Sequence, residues 1–244
     1  MSTPFITVAK PVMPLPKLTT PGAADLAAKF KPQPAAQSLL KPGMSSSEYI
    51  HALEQNNMSG DAIKGLAHGM SERDSVWYAT QSAKRVEPMM TPADKTAMKA
   101  AEAWAKDPSP ANQAQASAAA AATDHTGPGA WAAQGAAWSS ETPGGAMPPA
   151  PGLTPHATAG SVQLASAMEA KGGPIEVPKV PDAPTAPEVP TLPDQPAAPQ
   201  LAVPAVEAPE LVPPTPEEQA KTAQAQQPYV ALGKDIAAGN NSPA

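Results

Sequence analysis

Eight prolines fall at every third position from Pro178 to Pro199. A proline has no amide hydrogen to donate and its ring fixes φ near −65°, so neither an α-helix nor a central strand can run through such a stretch. Residues 176–199 are four hexapeptides, EVPKVP, DAPTAP, EVPTLP and DQPAAP, each with an acid first and prolines third and sixth. Polyproline II has three residues per turn, which lines the prolines along one edge and stacks Glu176, Asp182, Glu188 and Asp194 along another. Like charges so placed repel and stiffen the chain. With no apolar face to bury, the segment is expected to remain a disordered linker. Two uses fit it: a spacer, which needs only length and stiffness, or a ligand whose PxxP spacing docks in an aromatic groove. Strict repetition favours the spacer, because a recognition site needs one copy.

Folded structure must therefore lie on either side. Residues 1–21 hold Pro4, Pro11, Pro14, Pro16 and Pro21 and read as an extended arm. Residues 22–171 alternate helical periodicity with helix stops. Residues 172–215 form the proline-rich acidic linker, and residues 216–244 a terminal helical segment. In the body, 71–86 (SERDSVWYATQSAKRV) is the strongest amphipathic helix. Ser71 caps it, acids fill its first turn and Lys84 and Arg85 its last, and Pro88 stops it. Ser45 and Glu48 form a capping box, Thr91-Pro92 and Ser109-Pro110 are cap-plus-first-turn signals, and Gly127-Pro128-Gly129 is a break. Short pieces at 23–30 and 34–40, stripes at 60–70 and 92–106, an alanine-dominated run at 111–122, and helices at 128–139 and from Thr154-Pro155 complete the set. The fold class is all-α, a small Ala-rich bundle of roughly six to eight short helices. At the far end, Thr215-Pro216 opens a helix to about residue 226 that Pro228 is expected to restart or kink. Tyr229, Leu232 and Ile236 then share one side of 229–239, and this segment is expected to dock back on the bundle.

The charge is unevenly spread. Residues 1–171 hold 13 basic and 13 acidic side chains, and residues 172–244 hold 3 against 9, which accounts for the whole net charge of −6. A neutral body with an acidic tail lacks the basic face that nucleic acid requires. There is no cysteine, and thus no disulfide framework or thiolate chemistry. No run approaches 18 apolar residues, so no membrane insertion is expected. The N-terminal residues lack a basic region followed by an apolar run, so the expected location is cytoplasmic, with export only by a route that needs no signal.

Little in the sequence points to catalysis. His51, His68, His125 and His156 show no i, i+3 or i, i+4 pairing, and no metal or cofactor is expected. Asp124-His125 has no Gly-x-Ser-x-Gly elbow beside it. The glycine-containing loops are interrupted by proline and lack the Lys-Ser/Thr of a phosphate cradle. Glu72 and Asp74 are explained by the helix dipole. The aromatic residues carry more information. Trp77, Tyr78, Trp104, Trp131 and Trp138 are either the core of an alanine-built bundle, each tryptophan burying ~150–250 Å², or a partner-binding patch. Arg73 and Arg85 are candidates for anion binding or for ion pairs along a helix face.

Five pieces, AHGMSERDSVWYA (67–79), AAEAWAKDPSPANQAQA (100–116), GAWAAQGAAWS (129–139), AGSVQLASA (159–167) and ALGKDIAAG (231–239), together resemble the bacterial family domain of unknown function 6931. They keep its order and spacing over most of 23–171 and the end of the chain. Tyr78 stands where members usually carry a second tryptophan, and the proline repeat replaces a short loop before the last piece. The resemblance implies association with clusters for contractile, type VI-like secretion, and it assigns no catalytic residue. The expected function is that of a non-enzymatic accessory protein of such an apparatus, an adaptor, chaperone-like factor or minor structural part whose partners are other proteins. The alternative is a secreted cargo or effector of the same system.

Overall fold

The computed structural model describes residues 12–146, 148, 150–173 and 216–243. The hexapeptide repeat and the first eleven residues lie outside this set. Among the described residues the chain is all-α, with ten α-helices, one 3-10 turn and a single isolated bridge between Gly22 and Ser45. No described helix is long and apolar enough to cross a membrane.

The helices are α1 (Ala23–Phe30), α2 (Pro34–Gln37), α3 (Ser46–Gln55), α4 (Ser59–Gly69), α5 (Glu72–Arg85), α6 (Pro92–Lys106), α7 (Pro110–Ala121), α8 (Pro128–Ala137), α9 (Leu153–Lys171) and α10 (Pro216–Ala237). Their starts follow local chemistry. Ser45 and Glu48 form a reciprocal capping box on α3. The Ser71, Thr91 and Ser109 hydroxyls accept from the backbone N–H groups of Asp74, Asp94 and Asn112. These are orphan donors that an unpartnered helix start would leave exposed.

Three expectations change. Helix α2 ends at Gln37 rather than continuing to residue 40. Helix α9 begins at Leu153, behind Gly152 at φ 77°, so Thr154 is not its cap. The Thr154 hydroxyl instead donates to the Gly135 carbonyl at 3.0 Å and ties α9 to α8. Helix α10 continues through Pro228 as one helix, so the proline does not restart it. Pro228 and Gln224, the residue whose carbonyl loses its i+4 donor, are both exposed. Water therefore reaches the freed carbonyl, while Ala223, Tyr229 and Val230 stay buried on the other side.

Helix α5 is the hub, packed against α4, α6, α8, α9 and α10. Ser75, Val76, Trp77, Tyr78, Ala79, Thr80, Ser82 and Ala83 are all buried, while Arg85 is exposed and Glu72, Arg73, Asp74, Gln81 and Lys84 are half-buried. Its N-terminus exchanges bonds with the segment after α8. The Glu141 carboxylate accepts from the backbone N–H groups of Glu72 and Arg73, both at 2.9 Å. The Glu72 carboxylate in turn accepts from the Ser139 hydroxyl and the Ser140 N–H, both at 2.7 Å. Glycine allows close approach on the other flank. A Cβ at Gly129 would lie 2.1 Å from the Asp94 carbonyl oxygen, so α6 and α8 touch backbone to backbone at a position only glycine fills.

The large core residues are not mainly tryptophans. Trp104 is fully buried and donates its indole N–H to Thr142 Oγ1 at 2.8 Å. Trp77 is 7% exposed, whereas Trp131 and Trp138 are half-buried. The three tyrosines, Tyr49, Tyr78 and Tyr229, are each 0% exposed. Tyr229, Val230, Ile236 and Ala237 of α10 belong to the same continuous core as α1 to α9, and Leu232 packs against its edge.

Candidate functional site

The sequence-selected residues fall into structural contacts. The Trp77 indole N–H donates to Asn241 Oδ1 at 3.1 Å, with the Lys84 and Lys106 ammonium groups 5.7 Å and 6.0 Å from its ring centre. Trp131 donates to the His125 carbonyl at 2.8 Å and closes the loop between α7 and α8. Trp138 is the C-cap residue of α8. Arg73 forms no ion pair among the described residues. Its guanidinium donates to the carbonyls of Ala105 at 2.6 Å and Lys106 at 2.8 Å, closing the C-terminus of α6. Arg85 pairs with Glu169 at 3.1 Å and lies 5.0 Å over the Tyr229 ring. The Tyr229 hydroxyl donates to the same Glu169 carboxylate at 2.6 Å. Burial first, and then the hydrogen bond to Glu169 and its charge, raise the Tyr229 phenol far above its ordinary value.

Among the places that hold buried polar atoms without a hydrogen bond, those at His68 and Asp61 bear on binding. His68 on α4 is 5% exposed, and its ring stands edge-on to that of His156 on α9 at 4.5 Å. His68 Nε2 is buried without a hydrogen bond. Burial, followed by the charges of His156, Lys29 and Lys64, lowers this imidazole from 6.5 to about 4, so it stays neutral in ordinary conditions. The ring is packed in against Phe30 and His156.

The second place is concave. A groove of about 920 Å³ lies between α2, the α3–α4 turn, α9 and α10. Its alanine floor includes Ala36, Ala167 and Ala223, and its polar wall is made of side-chain amides from Gln33, Asn56, Asn57, Gln163 and Gln226. Asp61 projects from the first turn of α4, where the dipole favours an acid, yet the residue is only 5% exposed. Its Oδ1 is buried without a hydrogen bond, and the nearest cation, Lys64 Nζ, is 3.6 Å away. Burial and the Asp61 charge push the neighbouring Tyr49 phenol up to about 12. Gln226 is 8% exposed and also lacks a hydrogen-bond partner among the described residues.

A second groove of about 480 Å³ continues from the first through Ala167 and Thr222. Ala170 and Lys171, at the end of α9, line it together with Glu218 and Lys221, at the start of α10. The end of α9 and the start of α10, the described helices on either side of residues 174–215, therefore meet at one groove. Sequence reasoning missed this region, because carboxamides at 33, 56, 57, 163 and 226 form no motif and meet only when α10 docks.

No curated protein and no solved structure matches the chain. A model of a family of unknown function, DUF6931, matches residues 49–177. That span starts within α3 and runs through α9, leaving the 231–239 piece outside it. It takes in the hub helix with its Glu72–Glu141 exchange, the Asp94–Gly129 contact and Asp61. With more than half of its length matched by that family's model, the chain belongs to DUF6931.

Proposed function

We propose that this protein is a non-enzymatic accessory factor that binds other proteins and serves a contractile, type VI-like secretion apparatus as an adaptor or minor structural part. The observation that carries the protein-binding half is the long groove beside α10, where amides that can pair with a peptide backbone surround a carboxylate and sit above an alanine floor. Side-chain amides both donate and accept, which matches the alternating needs of a peptide unit. The apparatus half rests on the resemblance to a family associated with such clusters. The proline-rich stretch, tethered at the rim of the same groove, supplies reach towards a second component.

Purification of the full tagged chain from cells that assemble the apparatus tests this reading. Sheath or spike components are expected to co-purify in stoichiometric amounts. Apparatus-dependent appearance of the protein in culture supernatant, with no such component retained, would replace the adaptor role by that of a secreted cargo.

A further inference from the structure

We infer that the groove around Asp61 is a docking site for an extended peptide segment that carries an arginine, supplied by another protein. The inference rests on the protein-binding reading of the groove and names the chemistry of its partner. Asp61 is 5% exposed with a buried, unbonded Oδ1, and neither of its carboxylate oxygens accepts a hydrogen bond among the described residues. An unpaired buried acceptor is costly, and a charged donor is the strongest complement to it. Lys64 is too far for a hydrogen bond at 3.6 Å, and its side chain is 35% exposed, so it can turn to solvent when a better donor enters.

The donor geometry selects the side chain. A carboxylate that accepts no hydrogen bond among the described residues matches the planar fork of a guanidinium, which can engage both oxygens once Lys64 turns away, better than the single-point ammonium of a lysine. The remainder of the wall selects the backbone. Gln226 is nearly buried, faces the same groove and has no hydrogen-bond partner among the described residues, and Asn57 and Gln163 extend the row. Gln163 spends one N–H on the Gly60 carbonyl at a long 3.4 Å, leaving its oxygen for a ligand. Alanines along the floor let a main chain approach closely. The continuation into the second groove gives the cavity the elongated form of a strand rather than of a compact metabolite.

Charge argues that the segment arrives in trans. The helix ends on either side of residues 174–215 line the second groove, and that stretch holds one basic residue, Lys179, and no arginine, against six acids. Residues 1–11 offer only Lys10. The two arginines of the chain, Arg73 and Arg85, are already engaged with α6 carbonyls and with Glu169.

The full chain is titrated with the capped peptide acetyl-Ala-Gly-Arg-Gly-Ala-amide, and with the same peptide carrying citrulline, the neutral isostere of arginine. Backbone amide shifts are followed by NMR. Saturable shifts are expected at Gly60, Asp61, Gln163 and Gln226, with at least tenfold weaker binding of the citrulline peptide. Asp61→Asn is expected to weaken the arginine peptide tenfold, whereas Asp25→Asn on the exposed face of α1 leaves it unchanged. Equal affinity for the two peptides, shifts confined to other surfaces, or no saturation at millimolar peptide would overturn the inference. The citrulline comparison uses the unaltered chain, so it stands even if Asp61→Asn does not fold. Peptide binding without co-purifying apparatus components would remove only the secretion role. Co-purification without peptide binding would remove only the present inference.

Discussion

The hydroxyl of Tyr78, on the hub helix, donates to the backbone carbonyl of Tyr229 on α10 at 2.8 Å, across 151 residues of sequence. Both side chains are fully buried, so the bond is shielded from water. Gly233 sits one turn further along α10, and a Cβ there would lie 2.8 Å from both Leu66 Cδ1 and Tyr78 Cζ. The docking of α10 thus depends on a phenol that reaches and a glycine that yields. A tryptophan at 78 has no hydroxyl to make this bond.

Tyr78→Phe is expected to lower stability by about 1–2 kcal/mol in urea unfolding, the cost of a buried hydrogen bond whose acceptor retains its helical partner. Gly233→Ala is expected to cost about 1–3 kcal/mol, because the added methyl pushes α10 off Tyr78 and Leu66. In both variants amide exchange should accelerate in α10 more than in α6 or α8. Uniform acceleration in all three helices would mean that α10 does not open on its own.

Truncation after Gly173 removes Tyr229, Val230, Ile236 and Ala237 from the core and leaves Tyr78 facing water. Four buried apolar side chains are worth several kcal/mol. For a domain of this size the melting temperature is expected to fall by about 10 °C or more. A melting curve superimposable on that of the full chain would show that α10 contributes nothing to the bundle.

The buried His68 makes stability depend on pH. Its folded value of about 4 lies below its ordinary 6.5, so between these limits the unfolded chain binds more protons than the native one. Stability therefore rises with pH across this window, is complete above about pH 6.5, and declines as pH falls towards 4. The full amplitude is at most on the order of 3 kcal/mol. Asp94 acts in the opposite sense. Burial raises its carboxyl, against the pull of the Ala130 and Gly129 N–H groups, so its native form holds a proton longer. The groups facing the His68 ring are His156, Lys29 and Lys64, together with Phe30. His68→Phe keeps the ring contacts and should flatten the pH dependence between 4 and 6.5, measured by urea midpoints. An unchanged slope would assign it to other groups.

Among the tryptophans, Trp104→Ala should be the severe substitution, costing about 3–5 kcal/mol and leaving Thr142 without its donor. Trp138→Ala, at a half-buried helix end, should cost markedly less. Calorimetry of the two variants would reverse the assignment of core and rim if the order were inverted.

The helix starts were legible because their causes are local. Ser45 with Glu48, Thr91 with Pro92 and Ser109 with Pro110 lie within four residues of the groups they serve. The path of α10 through Pro228 was not legible, because it depends on which face of the helix meets solvent, a property of the docked state. The Glu141 cap on α5 and the Arg73 clamp on α6 escaped for the same reason, with 69 and 32 residues between partners. The groove was hidden most completely. Asp61 reads as an ordinary first-turn acid, and its burial on a groove shared with Gln226 and Gln163 is a property of the folded chain alone. Likewise, His68 and His156 are unpaired in sequence and meet only where α4 crosses α9.

Helix α10 is joined to the body by far more than the chain that precedes it. Tyr78, Glu169, Glu54 and Lys17 all bond to it, the last through the Ala237 carbonyl at 2.9 Å. A single protease cut between residues 174 and 215 would therefore leave two polypeptides that remain one particle, separable in denaturant but not on a sizing column. The same architecture makes the protein divisible into two co-expressed halves that rebuild the native bundle. A foreign domain inserted into the stretch would in turn be held by both of its own ends.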